Sequence, residues 1–287
     1  MFISRQLATV ICAPVAPQVL QAFDSNNYLY TTLLVSIWEL GEVVGPLLIA
    51  PLSELYGRLP VYNAANILFI VFAIGGAAAT NIHMLIAFRF LNGMSVASVT
   101  LNPGIVGDLF IKEQRGRALS LMGLAPMLGP VAGPIIGSYL GKAAGWRWTF
   151  WLPSILGAVL EVLFLFVYRE TYRVRLLGQK AGNMRKDTGN QELRSKYDKG
   201  ESSSRVFKAA IVRPMQMLIF SPVVFLLSLY VSVVYGYLYL ILTTITEVFE
   251  NVYGFPEDTV GLTFLGLGTF QRISPDRLSY LPFKCFN

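Results

Sequence analysis

Apolar runs of about 20 residues alternate with short polar segments along most of the chain. Runs of this length match a bilayer core about 30 Å thick, which about 20 helical residues cross. The runs are continuous, as in NILFIVFAIGGAAA, whereas membrane β-strands alternate in polarity, so the pattern predicts helices. We predict seven or eight membrane helices, with a shortened first run and an incomplete last one. After the first, the runs cover about residues 30–52, 60–80, 84–107, 118–141, 148–168, 218–245 and 260–270.

The composition agrees with a chain that lies largely in lipid. Of the 287 residues, 54% are hydrophobic and 14% are charged, whereas soluble domains carry about 25% charged residues. Twelve Lys/Arg and five Asp/Glu lie between Arg169 and Arg213, an excess larger than the chain's net charge of +6. Basic loops of membrane proteins stay in the cytoplasm. We therefore place this loop and the N-terminus on the cytoplasmic side, and the basic charge does not indicate nucleic-acid binding.

The stretch PLSELYGR ends the second apolar run and introduces charge at the membrane boundary. Glu54 and Arg58 are four residues apart, which lets them pair on one helical face, and Gly57 permits a tight turn. Asp108 ends the fourth run and is placed to pair with Arg115 or with Arg58. We interpret the group as a cytoplasmic latch; the alternative is a charged stop after a membrane helix.

FRFLNG places Arg89 inside the fourth run, with Asn92 one turn later. An arginine in a membrane interior costs at least about 2.5 kcal/mol and usually marks a pathway or a paired site. The alternative is that the side chain extends to the outer interface, since it lies only about five residues from the start of the run.

The fifth run, GLAPMLGPVAGPIIGSYLG, repeats small residues at helical spacing. Gly129, Gly133 and Gly137 share one face, and Pro130 and Pro134 share an adjacent stripe. Small residues let helix backbones approach closely, and prolines bend helices. The pattern predicts a shaped, bent interface, with simple helix packing as the alternative.

Three acids lie within apolar runs: Glu39 and Glu42 in the second and Glu161 in the sixth. Two carboxylates near one face repel in a low dielectric, so one tends to hold a proton that a cationic cargo could displace. The alternative is that these acids are hydrogen-bonded to neighbouring helices. Tyr235 and Tyr239 in the seventh run are candidates for cation–π contact with cargo, or serve as interfacial anchors.

Enzyme and metal-binding motifs are absent from the sequence. It contains no GxSxG, P-loop or HExxH stretch, and Cys12, Cys285 and the single His83 form no cluster. We therefore predict neither an enzyme nor a metal site, and ATP-driven transport is disfavoured.

In these motifs the chain resembles the major facilitator superfamily, in particular its fungal drug:proton antiporter branch. PLSELYGR is similar to the signature loop between spans 2 and 3, with Glu54 at its acidic position. RFLNG is similar to the span 4 signature with Arg89, and GPVAGP to the antiporter signature of span 5. The resemblance covers about residues 10–270.

The resemblance implies two six-helix halves around a central cavity that opens alternately to either side. It implies proton-coupled efflux of drugs, xenobiotics or polyamines, driven by the proton gradient without a cofactor. The expected partners are the lipid bilayer, protons and a small organic or cationic substrate. The expected location is the plasma membrane, with the vacuolar membrane as the alternative.

Within this fold, the chain corresponds to the first half and about two helices of the second. Residues 1–168 form the six-helix half with a shortened first span, and residues 169–216 form a cytoplasmic basic linker. Within the linker, KAGNMRKDTGNQELRSKYDKGESSSR has few apolar residues and no helical apolar stripe, which predicts a flexible segment, with a surface helix as the alternative. Residues 217–270 hold spans 7 and part of 8, and residues 271–287 form an aberrant tail. We interpret the chain as truncated. The second hypothesis is accordingly a non-transporting membrane fragment.

Overall fold

The computed structural model describes residues 2–25, 27, 29–96, 101–167, 170, 173–190, 203–256 and 261–264. Every regular element in these ranges is a helix, as the continuous apolar runs predict. A helix pairs its own backbone groups, which the bilayer interior requires. The elements are α1 Phe2–Val10, α2 Ala16–Ala22, α3 Leu29–Tyr56, α4 Arg58–Ala77, α5 Ile82–Val96, α6 Asn102–Leu109, α7 Lys112–Ala144, α8 Trp148–Val167, α9 Arg173–Thr188, α10 Ser203–Phe220, α11 Pro222–Asn251 and a 3₁₀ helix, Gly261–Phe264.

Four helices within the described residues are long and apolar enough to cross a membrane. They are α3, α4, α8 and the segment Pro222–Ile245 of α11. Their outer faces remain apolar, as on α4, where Ile67 and Val71 are more than half exposed. Apolar side chains on an outer face are favourable in lipid, so these helices agree with the predicted membrane runs.

The first predicted run is broken into two short helices. α1 ends at Val10, a turn follows, and α2 begins at Ala16. Pro14 lies in the turn and Pro17 lies in the first turn of α2, where its missing N–H has no helical role. The break leaves carbonyl groups at the end of α1 that need partners from elsewhere.

Within the fourth predicted run, 84–107, the structure describes α5 and α6, and residues 97–100 between them lie outside the described ranges. α6 has a proline in its first turn, a position that proline tolerates well. The fifth run is one helix of 33 residues, α7, and the prolines within it do not interrupt the helix.

The helices pack in pairs around a shared interior. α3 lies against α5, α4 against α8, and α1 against α7. At the centre, Trp38 of α3 meets Phe69 of α4 edge to face, with ring centroids 6.3 Å apart. A second apolar cluster lies around Trp146 and Phe150 at the start of α8. This interior is where the predicted membrane-embedded charges are found.

Two helices occupy much of the segment expected to be flexible. α9 lies within residues 169–216, and α10 begins there and continues into the seventh run. The linker had been predicted without a helical apolar stripe, leaving a surface helix as the alternative. α9 agrees with that alternative. Its apolar side chains begin at Val174, before the polar sequence from Lys180 onward that predicts a flexible segment. The predicted tail, 271–287, lies outside the described residues.

Candidate functional site

Arg89 is buried and caps the broken end of α1. Its Nη1 donates to the Ala8 carbonyl, its Nη2 to the Thr9 carbonyl and its Nε to the Leu34 carbonyl, each at 2.8 Å. The guanidinium also lies 4.5 Å from the ring centre of Trp38. The side chain therefore does not extend to an interface, and these contacts are to carbonyl dipoles. A cation at a helix C-terminus is electrostatically favourable there.

Asn92 lies beside Arg89 at the same small internal cavity. Asn92 is 2% exposed, and its Oδ1 has no hydrogen-bond partner among the described residues. The structure therefore brings together the two residues that the FRFLNG motif singled out. The cavity is lined by Ala8, Trp38, Phe69, Ala73, Arg89, Asn92, Thr149, Phe150 and Pro153.

Glu39 and Glu42 of α3 are both half-buried. The Trp38 Nε1 donates to the Glu42 Oε1 at 3.0 Å. The phenol of Tyr239 on α11 lies against the Glu39 carboxyl, in position to donate to it. Tyr235, the other candidate on α11, is 55% exposed. The structure thus gathers the two acids with one of the two tyrosines.

Glu161 of α8 has its own polar partners. It is 4% exposed, and its Oε2 accepts a hydrogen bond from the Nδ2 of the fully buried Asn66. Arg5 of α1 is also fully buried, with its guanidinium 5.4 Å from the ring centre of Tyr62 and within electrostatic range of Glu161 and Glu42.

Sequence reasoning missed the partners of Glu161, although two of them had a detectable signal. Tyr62 and Asn66 are four residues apart on α4, so they share a face of an otherwise apolar helix. Arg5 lies in the shortened first run, and its neighbours in sequence give no signal of its contact with Tyr62. Together these side chains make a buried polar cluster that joins α1, α4 and α8.

The connection between α3 and α4 is a single glycine. Gly57 has φ +94°, in the region where residues with a side chain are strained. A Cβ at this position would come within 2.5 Å of the Arg175 Cδ and of the Glu170 Oε2. The Arg175 Nη1 lies 4.0 Å from the same Glu170 oxygen. The turn is therefore enclosed by residues that follow α8.

Glu170 takes the capping role at the start of α4. The backbone N–H groups of Arg58 and Leu59 donate to its Oε1 and Oε2, each at 3.3 Å. The Arg58 Nη1 instead reaches the Leu101 carbonyl at 3.5 Å. Glu54 is exposed, and within the described residues it forms no ion pair with Arg58. The predicted Glu54–Arg58 pair is thus replaced by backbone capping from a residue 112 positions away.

Arg115 closes the end of α6. Its Nη2 donates to the Gly107 carbonyl at 2.7 Å and its Nε to the Phe110 carbonyl at 3.0 Å. The side chain of Asp108, the predicted partner, lies outside the described residues. Arg115 thus acts on backbone carbonyls at a helix C-terminus, as Arg89 does in the interior.

We expect Glu170→Ala to destabilise the protein while Glu54→Ala does not. Loss of a helix N-cap costs about 0.5–2 kcal/mol, whereas most exposed substitutions stay within about 0.5 kcal/mol. The measurement is the thermal unfolding midpoint of each purified variant in the same detergent. Equal midpoints for the two variants would contradict the capping role, and Glu170→Gln should fall between them because it keeps one acceptor oxygen.

The small-residue stripe of α7 packs closely on α1. Gly133 and Gly137 are buried, as is Pro134, while the side chain of Pro130 lies outside the described residues. The absence of side chains on the stripe lets the two backbones approach. A Cβ added to Gly129, Gly133 or Gly137 would meet, respectively, Gln6, the Leu7 carbonyl and the Ile11 carbonyl.

These features define a helical integral membrane protein with charged residues buried among its spans. Such residues are rare in membrane helices, because lipid does not solvate them, and they mark transport pathways or structural pairing. The family model for the Major Facilitator Superfamily matches residues 1–275. The chain belongs to this superfamily, whose members are transporters and not enzymes.

Two fungal relatives illustrate the match. The efflux pump radE of Floropilus chiversii is 45% identical over 263 residues, which are 91% of this chain and 49% of that protein. The MFS-type transporter penM of Penicillium rubens is 45% identical over 268 residues, 93% of this chain and 53% of that protein. The chain thus spans about half the length of the curated relatives it matches.

Solved structures agree on the fold. A D-xylose-proton symporter superposes with a TM-score of 0.66 at 17% identity, covering 93% of this chain and 63% of that one. The partially occluded inward-open xylose transporter XylE from E. coli gives a TM-score of 0.67 at 17% identity, covering 99% of this chain and 72% of that one. The helices described above therefore form an incomplete major facilitator fold.

Proposed function

We propose that the protein exports small organic molecules in exchange for protons, by alternating access. The observation that carries the proposal is the half-buried pair Glu39 and Glu42 inside the bundle, with Tyr239 beside it. Support also comes from radE, a relative named as an efflux pump. Drugs, xenobiotics and polyamines are the proposed cargo classes, because a cationic or flat molecule suits a site of carboxyls and a phenol.

The chemistry of the exchange follows from the charge on the two acids. A protonated carboxyl is neutral and leaves no attraction for a cation, while an ionised one attracts it. Binding of a cationic cargo at Glu39 and Glu42 would thus release a proton, and return of the proton would release the cargo. The Arg89 guanidinium, bound to three carbonyls, lies within electrostatic range of Glu39, and the Asn92 Oδ1 has no partner among the described residues at its cavity.

We also propose that the protein lies in the plasma membrane, with the vacuolar membrane as the alternative. The N-terminus and the basic loop 169–216 would face the cytoplasm, in accordance with the excess of Lys/Arg there. Cysteine labelling of the loop in sealed vesicles and in intact cells would test this orientation.

Glu42→Gln is expected to reduce proton-driven efflux about tenfold, a change worth about 1.4 kcal/mol. Glutamine keeps the size and the acceptor for Trp38 but cannot release a proton. The measurement is efflux of a fluorescent cation from vesicles that contain this chain, with an imposed pH gradient. Glu113→Gln is the matched control, because Glu113 is exposed in the first turn of α7. Glu39→Gln and Glu161→Gln test the other two acids.

The possible outcomes separate the proposal from its alternatives. Efflux that disappears when the pH gradient is collapsed supports proton coupling. Efflux that Glu39→Gln and Glu42→Gln leave unchanged together would remove this pair from the mechanism. A flux equal to that of empty vesicles would support the non-transporting fragment, an alternative that the likeness to named transporters does not favour.

A further inference from the structure

The helix α9 carries a narrow apolar stripe that no membrane-spanning role requires. Val174, Leu177, Ala181 and Met184 are spaced by three, four and three residues, which places them along one side of the helix. Leu177 and Met184 are 40% and 45% exposed. The other positions of α9 are polar or glycine, except for Leu176, which is 42% exposed and lies off the stripe. An exposed apolar stripe on such a helix is typical of a surface that contacts something apolar.

Basic side chains flank this stripe. At 100° per residue, Lys180 falls on one side of it and Arg185 falls on the other. Against these charges, together with Arg175 and Lys186, α9 has a single acid, Asp187. Long basic side chains can rest their methylene groups on an apolar surface while their charged ends reach toward phosphates. The charge pattern therefore matches an anionic surface.

The position of α9 relative to the membrane is set by its first turn. Arg175 lies 4.0 Å from Glu170 and against Gly57, the single residue that joins α3 to α4. α3 and α4 are both long and apolar enough to span the membrane. The turn that joins them lies at a membrane boundary, so α9 begins at the level of the lipid headgroups.

We propose that α9 is a membrane-surface helix that binds anionic phospholipid headgroups. Its apolar stripe would rest at the boundary between headgroups and acyl chains, and its flanking arginines and lysines would contact phosphates. This assignment is independent of the transported cargo and of proton coupling, because it uses only α9 and its place beside the α3–α4 turn. The alternative partner for this face of α9 is a protein surface with acidic groups.

The experiment uses the whole chain in lipid nanodiscs with an environment-sensitive fluorophore on α9. The label is placed at Met184→Cys, in a Cys285→Ser background where the remaining thiol, Cys12, is buried. A second label, at Gln179→Cys, lies on the polar side of the helix. Brominated lipids quench a label that touches acyl chains. We expect quenching at position 184 and not at 179, and more quenching with phosphatidylserine present than in phosphatidylcholine alone.

Charge variants test the headgroup contact. Lys180→Gln and Arg185→Gln together should abolish the extra quenching at position 184 that phosphatidylserine gives, because each flanking basic residue contributes about 1 kcal/mol, about a fivefold change in binding. Arg175 is left unchanged because it contacts Glu170. The matched control neutralises two exposed basic residues elsewhere, Lys112 and Arg117.

Three results would overturn the proposal. The first is equal quenching at positions 179 and 184 in anionic discs. The second is quenching at position 184 that is the same with and without phosphatidylserine. The third is a label at position 184 that is blue-shifted in the nanodisc but not quenched by brominated lipids, which would indicate that protein, not lipid, covers the stripe. Loss of the phosphatidylserine effect at high salt would support headgroup binding, since exposed charges are screened.

Discussion

Arg89→Ala is expected to lower the free energy of unfolding by about 3 kcal/mol or more, because it leaves several buried carbonyl groups without a donor and each unsatisfied buried group costs about 1–3 kcal/mol. Three carbonyl groups, those of Ala8, Thr9 and Leu34, would lose their charged donor in the protein interior. Two of these carbonyls belong to the last turn of α1, which has no helical continuation to satisfy them. The guanidinium would also leave a cavity beside Trp38.

The measurement is thermal unfolding of the chain in detergent, followed by size exclusion and by tryptophan fluorescence. Arg117→Ala is the matched control, because Arg117 is an exposed arginine on α7. Arg89→Lys should be intermediate, since an ammonium keeps the charge but lacks the planar fork that reaches three acceptors at once. An unfolding midpoint for Arg89→Ala equal to that of Arg117→Ala would contradict the capping role.

Gly93→Leu is expected to prevent α5 from packing on α3. A Cβ at Gly93 would collide with the Trp38 carbonyl oxygen, and a Cβ at Gly41 would collide with the Phe90 carbonyl oxygen. Both obstacles are backbone atoms, which cannot rotate away as a side chain can. Adding even one carbon to a packed interior costs about 1–3 kcal/mol, so alanine should destabilise and leucine should destabilise more.

Gly123 supplies the control for this prediction. It lies in α7, and a Cβ added there would meet no described residue within 4 Å. Gly123→Ala should therefore be neutral or stabilising by up to about 1 kcal/mol, because alanine restricts the unfolded chain. The readout is the unfolding midpoint of Gly41→Ala, Gly93→Ala, Gly93→Leu and Gly123→Ala in one detergent. Equal unfolding midpoints for Gly93→Ala and Gly123→Ala would show that the backbones of α3 and α5 are not in contact.

Elements that depend on local physics could be predicted closely. The run predicted at 148–168 is the helix Trp148–Val167, and the run at 60–80 is the helix Arg58–Ala77. Because a bilayer permits few spanning structures, the length and continuity of the apolar sequence were sufficient to predict where these two helices lie. The break within the first run was harder to predict, because a proline stands at the start of the new helix α2, whereas the prolines of α7 do not interrupt it.

The chemical partners of the candidate site were less predictable. Glu54 and Arg58 have ideal helical spacing, yet Gly57 separates them into different helices and Glu170 caps the second one. The motif drew attention to Arg89, but nothing near it in sequence indicated Ala8, 81 positions away, as an acceptor. Spacing rules describe neighbours on one helix, whereas these contacts join different helices.

The sequence by itself determined that this is an all-helical membrane protein, where several of its spans lie, and which embedded charges need an explanation. These properties follow from the cost of placing polar groups in lipid, which each segment meets on its own. Only the tertiary structure decided what those charges contact: Arg89 caps α1, Glu161 meets Asn66, and Tyr239 approaches Glu39. Such pairs depend on which helices pack together, and close backbone contacts far apart in sequence set that packing.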